Sequence, residues 1–426
     1  MTDLKKDLGR FLRAFSYRNY RLFFIGQLIN VTGTWMQTVA LSWLIYRLTD
    51  SPLMLGVVPF ATMLPAFLVT PFAGVMADNF DKRKLLIMAN SLAAMQALTL
   101  AILSFAGIIR PWHIILLGMV MGVANGFEMT SRHSFIPEIV EKKQDLVNAI
   151  SLNSALFNLA RLVGPSIAGL ILAATNEGVC FLINAISYTA IIIAVSLIQT
   201  KWKKTHGPAK DAFHELSDGL KYVFKNVPMS ITIILMAFVS LAVNSCFVLL
   251  PVIAKQTLNG GPQILGILMS SFGAGALCGA LFMAMQKDAR HLGFTILTGV
   301  VMMGVFNLCA ALLKSVIPLC IMFFGAGIGN MLHMASSNTL LQTLAPDEKR
   351  GRIMSFYVMS FTGFGMVGNL LAGWLAKVTS VQTTFACYGI AGICSAVIFL
   401  LALPTINETL KKAHLKLTVD MQPKET

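Results

Sequence analysis

Gly74-Val75-Met76-Ala77-Asp78-Asn79-Phe80-Asp81-Lys82-Arg83-Lys84 is a short charged interruption between two long apolar runs, 53–77 and 84–107. A helix needs roughly 20 apolar residues to cross a bilayer, so the stretch reads as a tight loop joining two spanning helices. The pattern recurs along the chain. The apolar runs are 20–46, 53–77, 84–107, 112–134, 147–174, 178–200, 227–250, 262–286, 293–313, 316–343, 353–376 and 381–403. They predict an all-α membrane protein with twelve transmembrane helices. The 426 residues are 56% hydrophobic and only 12% charged, with mean hydropathy +0.72. Soluble enzymes carry about twice that charge, which excludes them and excludes disordered chains.

The net charge of +14 is distributed by topology. With the N-terminus inside, 26 Lys and Arg fall in inner segments and five (Arg47, Arg110, Lys255, Lys314, Lys377) in outer loops. This asymmetry predicts both termini on the cytoplasmic side and argues against a nucleic-acid partner. The first 21 residues hold six basic residues and no continuous apolar core, unlike a cleavable leader. Residues 4–15 place Leu4, Leu8, Phe11, Leu12 and Phe15 on one face, and 1–19 read as an interfacial amphipathic helix. The polar, basic segment 201–226, broken at Gly207-Pro208, separates two six-helix bundles, 20–200 and 227–403. Residues 404–426 form a cytoplasmic tail. Seven cysteines lie inside apolar runs with no CxxC spacing, and are expected as small buried hydrophobes, neither disulfides nor metal ligands. No Walker A, HExxH or GxSxG sequence is present, so no cofactor or enzymatic site is predicted.

The halves repeat. Ser51-Pro52 and Leu55-Gly56 recur as Gly261-Pro262 and Leu265-Gly266, and Asp78 falls on Asp288. Ser151, Gly164 and Gly169 recur as Ser355, Gly368 and Gly373. Parallel six-helix repeats mark one large transporter fold. The opening stretch resembles the loop signature of the major facilitator superfamily, with Asp81 standing where a glycine is often found. Tyr17-Arg-Asn-Tyr-Arg-Leu-Phe, Val31-Thr-Gly-Thr-Trp-Met-Gln37 and Ala149-Ile-Ser-Leu-Asn153, leading to Gly164-Pro165, resemble the branch containing enterobactin (siderophore) exporters and macrolide efflux pumps. The resemblance implies outward movement of a small molecule driven by the proton gradient. The expected protein is a monomeric exporter of the bacterial inner membrane working by alternating access. The resemblance also implies a latch of Gly74, Asp78, Asp81, Arg83 and Lys84 reaching the helix near Arg352, with Arg83 paired to an acid at the inner end of helix 4 or 5. Gly164 and Pro165 would supply a kink.

Polar residues repeat at helical spacing inside the apolar runs: Gln27, Asn30, Thr34 and Gln37; Asn125, Glu128 and Arg132; Ser151, Ser154, Asn158 and Arg161. Asn244, Asn330, His333 and Ser337 lie in the second half. Such groups avoid lipid and face either a wet cavity or polar helix contacts. The resemblance implies that helices 1, 4, 7 and 10 line the cavity. Of 19 acids only Glu128 falls within a span. It reads as a proton site, as an i,i+4 partner of Arg132, or as the partner of Arg83. Arg161, at mid-depth, needs a partner, and Glu128 is the one buried acid available to it. Two cations against one anion favour an anionic, catechol- or carboxylate-bearing substrate. The rival readings are a multidrug or macrolide pump, a lipid flippase and a membrane scaffold.

Overall fold

The computed structural model describes residues 13–199, 221–286, 291–346 and 349–420. The expected interfacial helix up to residue 12, linker residues 201–220, the repeat around Asp288 and the last six residues of the tail lie outside the described residues. Among the described residues twelve helices of 16 or more residues follow one another: α1 Arg18–Thr49, α2 Pro52–Asn79, α3 Lys82–Phe105, α4 Pro111–Ile139, α5 Leu146–Ala174, α6 Glu177–Leu197, α7 Val227–Ala242, α8 Pro262–Met285, α9 Leu292–Leu312, α10 Val316–Leu344, α11 Arg350–Val378 and α12 Val381–Asp420. Local chemistry sets their ends. Asp50 closes α1 in the left-handed conformation (φ 47°), and Ser51-Pro52 opens α2. Asp81 caps α3 by accepting from the Arg83 N–H at 3.0 Å.

Eleven helical segments among the described residues are long and apolar enough to cross a membrane. The expected first span, within α1, is not among them. It is long enough at 32 residues, but its glutamine, asparagine and threonine stripe dilutes its hydropathy.

The chain divides into two compact units. One is built on α1–α6 with Ala254–Ser270, and the other on α7 and the rest of α8 with α9–α12. In the first, α1 packs on α5 and α6, α2 on α4, and α3 on α4 and α6. In the second, α7 packs on α11 and α12, and α9 on α10 and α12, so the same pairings return six helices later. The α2–α4 contact is close: a Cβ on Gly122 would stand 2.0 Å from the Thr62 carbonyl oxygen. Its counterpart is α8 on α10, where a Cβ on Gly275 would stand 1.9 Å from the Phe324 oxygen.

In the first unit two of the three family-like stretches meet, the one beginning at Tyr17 and the one beginning at Ala149. Tyr17 Oη donates to Asp145 at 2.7 Å, which pushes the phenol's pKa up. Tyr20 Oη donates to the Ala149 carbonyl at 2.8 Å, and the Ala14 N–H donates to Asn148 at 3.0 Å. At the other end of α1, Arg47 makes a two-point ion pair with Glu177 at the start of α6 (2.9 and 3.0 Å). Lys255 reaches Asp50 at 2.9 Å and lies over the Tyr46 ring.

In the second unit α7 breaks at Val243 and continues as a 3-10 segment, Asn244–Leu249, and a π turn, Ile253–Thr257. Asn307 of α9 satisfies irregular backbone by donating to the Val243 carbonyl (3.0 Å), and Asn330 of α10 donates to the Asn244 side-chain Oδ1 (3.0 Å). The cysteines correct the sequence reading in part. All are free, but only Cys180 and Cys246 are buried, whereas Cys278, Cys387 and Cys394 are exposed on the helix surface.

Candidate functional site

The first unit carries an open-mouthed cavity of about 290 Å³. Helix α1 contributes Gln27, Asn30, Val31, Thr34, Trp35 and Thr38. Helix α3 contributes Asn90, α4 Asn125 and Glu128, α5 Phe157, and α6 Tyr188. The wall therefore combines amides and hydroxyls with three aromatic faces. Thr34 and Tyr188 approach each other at 3.4 Å, and Asn30 Nδ2 lies 3.5 Å from Asn90 Oδ1.

Charge gathers behind this wall. Arg132 Nε lies 2.9 Å from Glu128 Oε1, one helical turn away on α4, though not aligned for a hydrogen bond. The pair is largely enclosed, with side chains 9% and 20% exposed. The Arg132 guanidinium also sits over the Phe157 ring at 4.4 Å. Arg161 stands over Trp35 at 5.3 Å. Its Nε is buried with no hydrogen-bond partner, and no carboxylate of the described residues lies within 4 Å. This corrects the expected Arg161–Glu128 pairing: the acid is taken by its own-helix neighbour, which needs no tertiary approach to reach it. Gly164 makes the Arg161–Trp35 stack possible. A Cβ there would stand 2.6 Å from Trp35 Cβ and 3.1 Å from the Thr32 carbonyl, so α1 and α5 can approach only over a glycine. Helix α5 runs on through Pro165, whose missing N–H leaves the Arg161 carbonyl without its helical donor.

Several expected cavity residues are placed elsewhere. Gln37 is buried between helices: its Nε2 donates to Gln96 of α3 at 3.1 Å, and its Oε1 accepts from Asn184 of α6 at 2.9 Å. Asn158 is buried and donates to the Ser154 carbonyl, and Ser154 bonds back to Ile150; neither lines the cavity. Asn244 and Asn330 pair with each other. His333 is 1% exposed, with Ser337 Oγ 3.5 Å from Nδ1 and Nε2 unpartnered. Close helix packing buries Gln37, Asn158, Asn330 and His333; small residues such as Gly299 bring the α9 backbone against His333.

The sequence reading missed Trp35, Thr38, Asn90, Phe157 and Tyr188. Asn90 carried the same signal as the chosen residues, an amide within an apolar run. The aromatic residues carried none, because a ring facing a cavity and a ring facing lipid have the same sequence pattern.

The opening loop also differs from expectation. Gly74 is not a close-contact position, since a Cβ there would find its nearest neighbour, Thr130 Cγ2, at 3.9 Å. Asp78 ends in the last turn of α2, and its side chain lies outside the described residues. Asp81 is a helix cap. Lys82, not Arg83, pairs with an α4 acid, Glu138, while Arg83 donates to the Ser196 carbonyl near the end of α6. Lys84 is exposed, and Arg352 lies in the first turn of α11.

Residues 11–423 match the family described as transmembrane secretion effector. The chain belongs to this family of the major facilitator superfamily. It is similar to the Staphyloferrin A transporter of Staphylococcus aureus, 24% identical over 389 residues, covering 89% of this chain and 95% of that protein. It is likewise similar to the multidrug efflux pump Tap of Mycobacterium tuberculosis (25% over 397 residues; 91% and 94%). Macrolide efflux protein A of Streptococcus pyogenes is 22% identical over 413 residues (94% and 99%). The crystal structure of the nucleoside transporter NupG shares the fold at TM-score 0.69 and 14% identity, over 90% of this chain and 98% of that one. The chain is thus a multi-pass membrane transporter of a small molecule, and not an enzyme.

Proposed function

We propose that this transporter exports a siderophore-like organic anion, carrying carboxylate or catechol groups, across the bacterial inner membrane. It acts as a monomer embedded in membrane lipids, with twelve spans including α1 and both termini in the cytoplasm. The halves alternate in access to the two sides, and the proton-motive force supplies the energy.

One observation carries the substrate class: the Arg161 guanidinium, its Nε buried and no carboxylate partner present among the described residues, stands over an aromatic ring of the cavity wall. An arginine inside a membrane protein is expensive, by about 2.5–3.5 kcal/mol on insertion scales, and persists where it serves a pathway or a partner. With Glu128 compensating Arg132, Arg161 leaves one uncompensated positive charge behind the cavity wall among the described residues. Carboxylates and catecholates suit both this charge and the aromatic walls. The name of the Staphyloferrin A transporter supports the same reading.

The test is flux through purified protein in liposomes, comparing a carboxylate chelator, a catecholate and a macrolide. Export of the anions should be lost in Arg161→Gln while the folded protein and its melting temperature are retained. Anion flux that is unchanged in Arg161→Gln overturns the reading. A second reading, macrolide or multidrug efflux, is favoured by the Trp35, Phe157 and Tyr188 faces, and wins if only the macrolide moves.

A further inference from the structure

The charges around the cavity bear on how a proton and a substrate influence one another. Glu128 faces Arg132 on its own helix, with His133 five residues on and within electrostatic reach. From the packed helices, α5 brings Arg161 over the shared wall residue Trp35, and α6 brings Tyr188. Helices α1 and α3 face Glu128 with uncharged side chains. Helix α2 meets α4 through Thr62, Ala66 and Val69.

Building on the anion reading above, we propose that Glu128 is the switch of the anion site, and that a proton on Glu128 and an anion in the cavity bind together, not in exchange. When Glu128 is ionised it compensates Arg132, and among the described residues Arg161 is the guanidinium left to attract an anion. When Glu128 is neutral, Arg132 loses that partner, and two guanidinium groups without a carboxylate partner among the described residues stand behind the cavity wall. An anion therefore binds more tightly to the protonated site, and by reciprocity its arrival favours that proton. With the doubly loaded form as the one that changes access, proton and anion travel in the same direction. The pH component of the proton-motive force, acting through Glu128, then opposes the export of an anion, and its electrical component supplies the energy. The inside-negative membrane potential expels any substrate whose negative charges outnumber the accompanying proton. A cationic substrate inverts the sign and exchanges for the proton directly.

The test uses the full-length protein in detergent or liposomes, with benzenesulfonate, an aromatic anion of pH-independent charge, as the probe and tetraphenylphosphonium as the cationic control. Wild-type affinity for benzenesulfonate should rise as pH is lowered. Glu128→Gln should bind it about tenfold more tightly at neutral pH and lose that pH dependence. Arg132→Gln should bind weakly at neutral pH and recover on acidification. The wild-type series requires no variant to fold, and melting curves control the others.

Unchanged or weaker binding in Glu128→Gln, or wild-type binding that tightens as pH rises, overturns the cooperative linkage. If Arg161→Gln abolishes binding in that case, the anion site itself survives. If the protein binds tetraphenylphosphonium and never benzenesulfonate, the anion reading falls and takes the linkage with it.

Discussion

Glu128 and Gln37 were equally polar insertions in apolar runs, yet they occupy different environments. Glu128 reaches a cavity wall, whereas Gln37 is held between three helices by Gln96 and Asn184. The difference has a measurable consequence. Gln37→Leu strips partners from Gln96 and Asn184 at once, and buried amides left without partners cost about 1–2 kcal/mol. Its melting temperature should fall, while substrate affinity in the protein that remains folded should equal that of wild type. A changed affinity at unchanged stability would return Gln37 to the cavity. Arg161 presents the opposite case. Its partner could not be read from spacing, because the aromatic ring beneath it comes from α1 and is admitted only by the glycine at 164.

At the level of the helices, glycine spacing mattered more than glycine number. Gly122 faces the α2 backbone so closely that a methyl group would meet the Thr62 carbonyl at 2.0 Å, while Gly74, in the family-like loop signature, has room for one. Gly122→Ala should therefore force α2 and α4 apart, costing about 1–3 kcal/mol. Gly74→Ala should stay within about 0.5 kcal/mol of wild type. Chemical unfolding of the two variants in parallel checks the contrast, and equal stability would show that α2 relaxes without loss. The runs Gly273-Ala-Gly275 and Gly325-Ala-Gly327-Ile-Gly329 behave similarly. Gly275, Gly327 and Gly329 face neighbouring backbones, and Gly325 faces the Phe306 ring. The break in α7 was not visible in its apolar sequence. Asn307, from another helix, supplies a donor to the Val243 carbonyl at the break, and Asn330, from a third, holds the Asn244 side chain beside it.

Across the whole molecule, the segment Ala254–Ser270 follows the interdomain linker in sequence yet packs as part of the first unit. Ser166 of α5 donates to Ser270 at 2.7 Å, and Gly266 lies against Pro165 and Gly169. If the proposed alternation of access separates this segment from α5 in each cycle, a bond across it must stop transport. In a background lacking the seven native cysteines, Ser166→Cys with Ser270→Cys should crosslink on oxidation. Flux should then stop, and return on reduction. Full flux through the crosslinked protein would show that the segment stays with α5 throughout the cycle.

The linear chain was enough to establish an all-helical membrane transporter of repeated halves. Membrane residence is a matter of run length and hydropathy, and the repeat is written in spacing; both are one-dimensional properties. The helical positions of Gln27, Asn30, Thr34, Asn125 and Glu128 could be read the same way. Folding in three dimensions chose among equivalent polar residues. It sent Gln37, Asn330 and His333 into helix contacts, gave Glu128 to Arg132, and left Arg161 against Trp35. Those outcomes depend on how near two helix backbones can come and which faces they turn to one another, and no periodicity within a single helix encodes either.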